Sequence, residues 1–234
     1  MLIGKRGAAT TSISTAAADQ IMVRGRDLCA ELMGATNFTE FFFLLATGRT
    51  PTADQSFFLD LALVALAEHG LTPSVQAARM TYAADPAALQ GAVAAGVLGC
   101  GTVILGAARE AGALLEHVLK RIDAGATPDE AADATARERR IAGRGVDAAT
   151  RLAAAAARVW EKPLPMNVSM AIAATLRDAD VPAAIIRGVP ILARTAGLIA
   201  HLAEEAETPI GFYMASQAEE AIAYAGPEAG APKA

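Results

Sequence analysis

Apolar residues recur at three- and four-residue intervals along nearly the whole chain, and the alternation typical of strands is rare. This spacing places apolar side chains on one face of a helix. The pattern therefore predicts an all-α protein. One exception is the segment 20–27, which we expect to form a short extended piece that turns at Gly25.

Capping residues mark the predicted helix starts. Thr52 and Gln55 have the spacing of a capping box, in which each side chain bonds the backbone N–H of the other. An apolar helix follows them, and Gly70 ends it, because helices commonly stop at a glycine. Further starts are predicted at Thr72-Pro73, Asp85-Pro86, Thr127-Pro128, Asn167, Val181-Pro182 and Pro190.

A chain of 234 residues can bury the core of one domain. We expect a helical domain over residues 16–225, with a small subdomain roughly at 110–190, after an N-terminal segment 1–15. Residues 226–234 are rich in Gly, Pro and Ala, and are predicted to be a disordered tail.

The composition indicates an oligomer. Hydrophobic residues make up 53% of the chain, but aromatic residues make up only 5%. Alanine-rich helices are thin and leave apolar faces that one subunit does not cover, so we expect a homodimer or a higher homo-oligomer. Residues 86–108 carry no charge and are long enough to cross a bilayer. Gln90, Thr102 and five glycines in that stretch favour buried core helices instead, and no membrane partner is expected.

Charge and cysteine content exclude several functional classes. A net charge of −5 and a pI near 5.3 argue against nucleic acid, which requires a basic surface. Two cysteines, Cys29 and Cys100, do not make a disulfide scaffold, so a reducing cytoplasm is expected. No metal-ligand spacing and no phosphate-binding loop is present in the sequence. We therefore expect neither a metal nor a permanently bound cofactor.

Arg194 is the most informative residue, because it is a lone charge in the apolar run 191–201. A guanidinium on a buried helix is costly unless it meets an anion. Two interpretations are open: the anion is a protein carboxylate, such as Glu204 or Glu205, or it belongs to a ligand. Arginine can grip a ligand carboxylate with two hydrogen bonds.

Two histidines also bear on this question. His69 ends an apolar helix, where backbone carbonyls favour a protonated ring that could bind a carboxylate. His201 follows Arg194 by seven residues and so lies on roughly the same helix face. A half-buried histidine with a satisfied ring is the simpler interpretation of His201.

Several stretches stand in a fixed order along the chain: Thr11-Ser12-Ile13-Ser14, 21–27 (IMVRGRD), 68–74 (EHGLTPS), 92–96 (AVAAG), 162–168 (KPLPMNV) and 193–201 (ARTAGLIAH). Together they resemble the short citrate synthase-like proteins, especially the citryl-CoA lyase branch, over roughly residues 10–227. The resemblance implies an all-α, citrate synthase-like fold with large and small helical subdomains. It also implies an oligomer that makes or breaks a C–C bond between a 2-oxo acid and a CoA thioester.

The resemblance carries over to only part of the site. His69 stands where the family binds substrate and Arg194 where it binds a carboxylate, and Asn167 lies in the matching Asn-Val motif. At the positions of the family's catalytic groups, Ile104 replaces a histidine and Ser169 replaces the aspartate base. The loop that should carry a second histidine is shortened around Arg144 and has none. A second carboxylate arginine is also replaced, within 210–214.

We therefore expect a lyase or acyltransferase with an altered catalytic set. Arg194, His69 and Asn167 would bind the substrate, a CoA thioester with a carboxylic acid, and Ser169 and Arg144 would supply the chemistry. The alternative is a catalytically inactive homologue that binds CoA or a carboxylate ligand, or that partners an active paralogue.

Overall fold

A computed structural model describes residues 10–101, 106–139, 154 and 168–226. The chain is mainly helical in these ranges, as predicted. The helices are α1 (Phe38–Thr47), α2 (Ala53–Ala67), α3 (Pro73–Ala84), α4 (Leu89–Leu98), α5 (Gly106–Asp123), α6 (Pro128–Arg139), α7 (Val168–Asp178), α8 (Gly188–Glu207) and α9 (Gly211–Ala221). Short helical turns lie at Leu28–Leu32 (π) and Ala183–Ile185 (3-10).

The predicted extended piece is part of a small antiparallel sheet. Its strands, in the order β1-β2-β3, are Ser14–Ala16, Ile21–Val23 and Arg26–Asp27. Arg24 and Gly25 join β2 to β3 with φ of 50° and 79°. Two positive φ angles in a two-residue loop define a type I′ turn, which matches the twist of the flanking strands. Gly25 therefore marks the turn, as expected.

Most predicted helix starts are confirmed. Both reciprocal bonds of the Thr52–Gln55 capping box are present, at 3.0 and 3.2 Å. Pro73 is the first residue of α3, and α7 and α8 begin within two residues of the predicted positions. The start predicted at Pro86 is wrong: Asp85 accepts from the N–H of Ala88 in a turn, and α4 begins only at Leu89.

The uncharged stretch 86–108 contains the helix α4, which has 10 residues. A transmembrane helix needs about 20 residues. The segment 183–207 is long and apolar enough to cross a bilayer by length and composition alone. Core helices of globular proteins share that property.

The chain divides into two compact units, 1–64 with 107–189 and 65–106 with 190–234. The predicted small subdomain, roughly 110–190, falls within the first unit and remains a prediction. In the first unit, Val23, Leu32 and Leu44 bury a cluster between the sheet, the π turn and α1. A separate cluster joins α5 to α6.

The second unit packs α3, α4, α8 and α9 around its own core. The buried residues of that core are Val75, Ala78, Ala92, Leu198 and Leu202. Helices α4 and α8 approach closely where Gly96 meets Leu198. A Cβ on Gly96 would lie 2.7 Å from a methyl of Leu198, so this approach depends on a residue without a side chain.

Candidate functional site

Arg194 is buried on α8, with 6% of its surface exposed. Its Nη1 is enclosed and has no hydrogen-bond partner among the described residues. Of the two interpretations of Arg194, pairing with Glu204 or Glu205 is wrong, because both carboxylates bind Arg79 instead. Within the described ranges, Arg194 thus keeps hydrogen-bonding capacity that a ligand carboxylate could use.

The face of α8 that carries Arg194 packs against the end of α2. Gly197 and His201 follow Arg194 by three and seven residues and lie on the same face. A Cβ on Gly197 would clash with the carbonyl oxygen of Ala67, so only glycine permits this close approach. Nε2 of His201 lies 3.0 Å from Oε2 of Glu68, at an angle poor for a hydrogen bond. Both contacts bring the turn after α2 onto the face that carries Arg194.

The turn Glu68–Gly70 presents His69. The side chain of His69 is exposed, and its Nδ1 contacts the backbone oxygen of Glu68. Gly70 has a φ of 75°, which favours glycine, and its N–H donates to Oε1 of Glu68. Burial opposes ionisation of Glu68, but the contacts with His201 and the Gly70 N–H outweigh it and lower the pKa of Glu68. An ionised Glu68 therefore shapes the turn that holds His69.

Arg79 on α3 is the second buried cation of this unit, and its donors are used. Nε donates to Oε2 of Glu205 at 2.6 Å, and Nη1 donates to Oε2 of Glu204 at 2.5 Å. Nη1 also lies 3.2 Å from Nδ1 of His201, and Nη2 donates to the carbonyl of Thr208 at 3.3 Å. Each guanidinium nitrogen of Arg79 therefore has a partner within the chain, whereas Nη1 of Arg194 has none among the described residues.

Glu205 links this network to α9. Its Oε1 accepts from the N–H groups of Ile210 and Gly211 at 3.0 and 2.7 Å, at the start of that helix. Burial opposes ionisation, but these bonds and Arg79 outweigh it and lower the pKa of Glu205. Burial likewise disfavours the charge on Arg79, but the two glutamates outweigh it and raise its pKa.

The other predicted site residues are placed only in part. Ser169 lies in the first turn of α7, which belongs to the first unit, and its side chain is outside the described residues. Asn167, Arg144 and Ile104 are also outside them. Of the predicted site residues, Arg194 and His69 therefore lie in the second unit, on α8 and on the turn that packs against α8. Among the described residues, no group of three or more His, Cys, Asp or Glu side chains could hold a metal ion.

The sequence prediction missed Glu68 and Arg79. A signal for Arg79 was present, because it shares the face of the helical stripe formed by Val75, Ala78 and Tyr82. A charge on that stripe faces the core and needs a buried partner. His201 was interpreted as a half-buried histidine with a satisfied ring, and its side chain is 16% exposed between Arg79 and Glu68.

No family model and no curated protein matches the sequence. Solved structures do match. The structure of citryl-CoA lyase from Hydrogenobacter thermophilus is similar with a TM-score of 0.77 and 24% identity, over 97% of this chain and 98% of that chain.

Two longer proteins are also similar. ATP citrate lyase from Methanothrix soehngenii, in complex with citrate and coenzyme A, has a TM-score of 0.65 and 18% identity. A variant of Methanosaeta concilii ATP citrate lyase, in complex with (3S)-citryl-CoA, has a TM-score of 0.66 and 16% identity. Each match covers 97% of this chain and 43% of the ATP citrate lyase chain.

The chain therefore has a citrate synthase-like helical fold. Within that class, its fold is that of citryl-CoA lyase along nearly the whole length of both chains. The fold predicted from the sequence is confirmed, with the addition of the three-stranded sheet.

Proposed function

We propose that this protein is a carbon–carbon lyase or acyltransferase that acts on a CoA thioester and a 2-oxo acid. The observation that carries the proposal is the buried Arg194, whose Nη1 has no partner among the described residues. The fold adds support, since a citryl-CoA lyase has it, and the two ATP citrate lyase structures contain citrate with coenzyme A or citryl-CoA. We further propose that the protein works as a homo-oligomer in the cytoplasm.

Arg194 and His69 would bind the carboxylates, with Asn167 as a further substrate contact. In the cleavage direction, the substrate hydroxyl loses its proton as the C–C bond breaks. The bond electrons pass to the thioester as an enolate, which then takes a proton to give the shorter acyl-CoA, while the hydroxyl carbon becomes the 2-oxo acid. Ser169, acting through a water, and Arg144 would support these proton and charge movements.

The altered catalytic set predicts a slow enzyme. Removing a single oxyanion donor typically costs about 2.7–4 kcal/mol, or a rate factor of about 10²–10³. An isoleucine at position 104 donates no hydrogen bond, and a serine hydroxyl needs an activating neighbour to act as a base at neutral pH. The apolar Ile104 also favours a less polar acyl group than that of citryl-CoA.

The test combines binding with turnover. Calorimetric titration with citrate, oxaloacetate, CoA and acetyl-CoA should detect carboxylate binding that Arg194→Gln abolishes and that Arg49→Gln, on an exposed side chain, leaves intact. A panel of acyl-CoAs and 2-oxo acids should then give thiol release or cleavage with at least one pair. No binding of any carboxylate or CoA compound would overturn the proposal.

The substitutions at positions 104 and 169 favour a second candidate, a non-catalytic homologue. Such a protein would bind CoA or a carboxylate, or would assemble with an active paralogue. Tight binding without turnover of any substrate pair would favour this candidate. Turnover that falls in an Arg194→Gln variant would exclude it.

A further inference from the structure

We propose that Glu68, held by His201, is a positioning residue for His69. This inference rests on the proposed function, in which His69 binds the substrate. It assigns a role to two residues, Glu68 and His201, that the proposed function leaves without one.

Glu68 is fixed at three points around His69. Its Oε2 lies 3.0 Å from Nε2 of His201, its Oε1 accepts from the N–H of Gly70, and its backbone oxygen contacts Nδ1 of His69. The exposed ring of His69 therefore stands on a turn that Glu68 ties to α8. The same helix carries Arg194, one turn before Gly197.

Arg79 orients the ring of His201 toward Glu68. Because an arginine nitrogen can only donate, Nη1 of Arg79 at 3.2 Å makes Nδ1 of His201 an acceptor. The ring proton of a neutral His201 is then on Nε2, which faces Glu68. The charged groups around the ring are Arg79, Glu68 and Glu204, the last at 3.9 Å from Nδ1. Arg79 thus orients the ring of His201 so that Nε2 lies beside Glu68.

The side chain of Glu68 is also more exposed than that of His201, at 46% against 16%. The ordered turn costs little further entropy when a ligand binds, and a loosened turn would cost more. Losing the support of Glu68 should therefore weaken carboxylate binding about 3- to 10-fold, the equivalent of one net hydrogen bond.

The experiment compares Glu68→Ala, His69→Gln and the double variant by citrate titration and by NMR of the imidazole rings. The chain has only three histidines, so the His69→Gln spectrum assigns the His69 signals. Glu68→Ala should shift these signals and weaken citrate binding. In the His69→Gln background, it should cause no further loss of affinity, because the effect passes through His69.

Glu207→Ala, an exposed glutamate on α8, is the matched control and should change neither readout. His201→Leu should reproduce the effect of Glu68→Ala on the His69 signals, and His201→Gln should restore the wild-type signals, since its amide can donate to Glu68. Unchanged His69 signals in Glu68→Ala would overturn the inference, as would additive losses of affinity. If the wild-type protein binds neither citrate nor CoA, the proposed function fails, and the ring signals still decide the positioning role.

Discussion

Nε of Arg79 lies 2.6 Å from Oε2 of Glu205, and the exposed fractions of the two side chains are only 2% and 1%. The pair joins α3 to the end of α8 across 126 residues of sequence. Glu205 also accepts two backbone N–H groups at the start of α9. This ion pair therefore ties three helices of the second unit together.

Breaking the pair on one side should be strongly destabilising. We expect Arg79→Met to lower the free energy of unfolding by about 3–5 kcal/mol, because it leaves Glu205 buried without its cation. Urea unfolding followed by circular dichroism at neutral pH measures the change. Arg49→Met is the control: Arg49 lies 3.8 Å from Asp180, with both side chains more than half exposed. That pair should be worth about 0–1 kcal/mol. Equal losses in the two variants would contradict the structural role of Arg79.

The ionised Glu205 should make the protein sensitive to acid. Its pKa is lower in the folded state than its ordinary value of 4.5, because its bonds to Gly211, Ile210 and Arg79 outweigh the cost of burial. The stabilising contribution is therefore complete above pH 4.5 and is lost as the pH falls through the lower folded value. The free energy of unfolding, measured from pH 7 down to pH 3, should fall steeply below 4.5.

Glu205→Gln supplies the control for that prediction. The variant should be less stable than the wild type at pH 7, and its stability should fall less between pH 4.5 and pH 3, because one titrating carboxylate is gone. Glu207→Gln removes an exposed carboxylate from the same helix and should retain the wild-type profile. An acid profile of Glu205→Gln with the wild-type slope would show that other carboxylates control the transition.

Local features of the fold were predictable from the sequence because their physical causes are local. The predicted capping box at Thr52 is formed by residues three positions apart, and it is present. Thr127, where a helix start was predicted, forms a similar box with Glu130. The hairpin turn at Gly25 needs only its own backbone conformation. At Pro86 the local signal was misleading, because Asp85 closes a turn before the helix can start.

The site was predictable only to the level of residue type. The sequence indicated that Arg194 needs an anion, but it could not show which arginine Glu204 and Glu205 bind. That choice depends on α3 packing against α8, more than 120 residues away in sequence. The contact between Glu68 and His201 has the same origin. Such partners are set by the way the helices pack together. Apolar spacing shows only which face of a helix is buried, and not which residues of another helix it meets.

Gly197 should tolerate no side chain. A Cβ at this position would clash with the carbonyl oxygen of Ala67, a backbone atom that cannot rotate away. Gly197→Ala should therefore cost about 1–3 kcal/mol of unfolding free energy. It should also displace the His69 turn, and so shift the NMR signals of the His69 ring. Gly188→Ala is the matched control on α8, because nothing lies within 4 Å of its added Cβ. It should be neutral or stabilising by up to about 1 kcal/mol.

Arg194→Met should act in the opposite sense to Arg79→Met. The wild-type guanidinium is buried, and no described residue accepts a hydrogen bond from its Nη1. Its desolvation is therefore not compensated, and an apolar side chain of similar length removes that free-energy cost. We expect the free energy of unfolding to stay the same or to rise by about 1–3 kcal/mol. Binding of citrate should be lost at the same time. Thermal unfolding with and without citrate measures both effects on one sample.

The opposite effects of Arg194→Met and Arg79→Met on stability distinguish a ligand-binding residue from a structural one. A residue kept for stability loses stability when it is removed, whereas a residue kept for a ligand carries a stability cost that its removal relieves. Added citrate should raise the melting temperature of the wild-type protein and leave that of Arg194→Met unchanged, because only a folded state that binds the ligand is stabilised. Arg194→Lys keeps the charge but loses the two-pronged geometry, and should bind citrate more weakly than the wild type. A large loss of stability in Arg194→Met would instead place Arg194 with Arg79 among the structural cations.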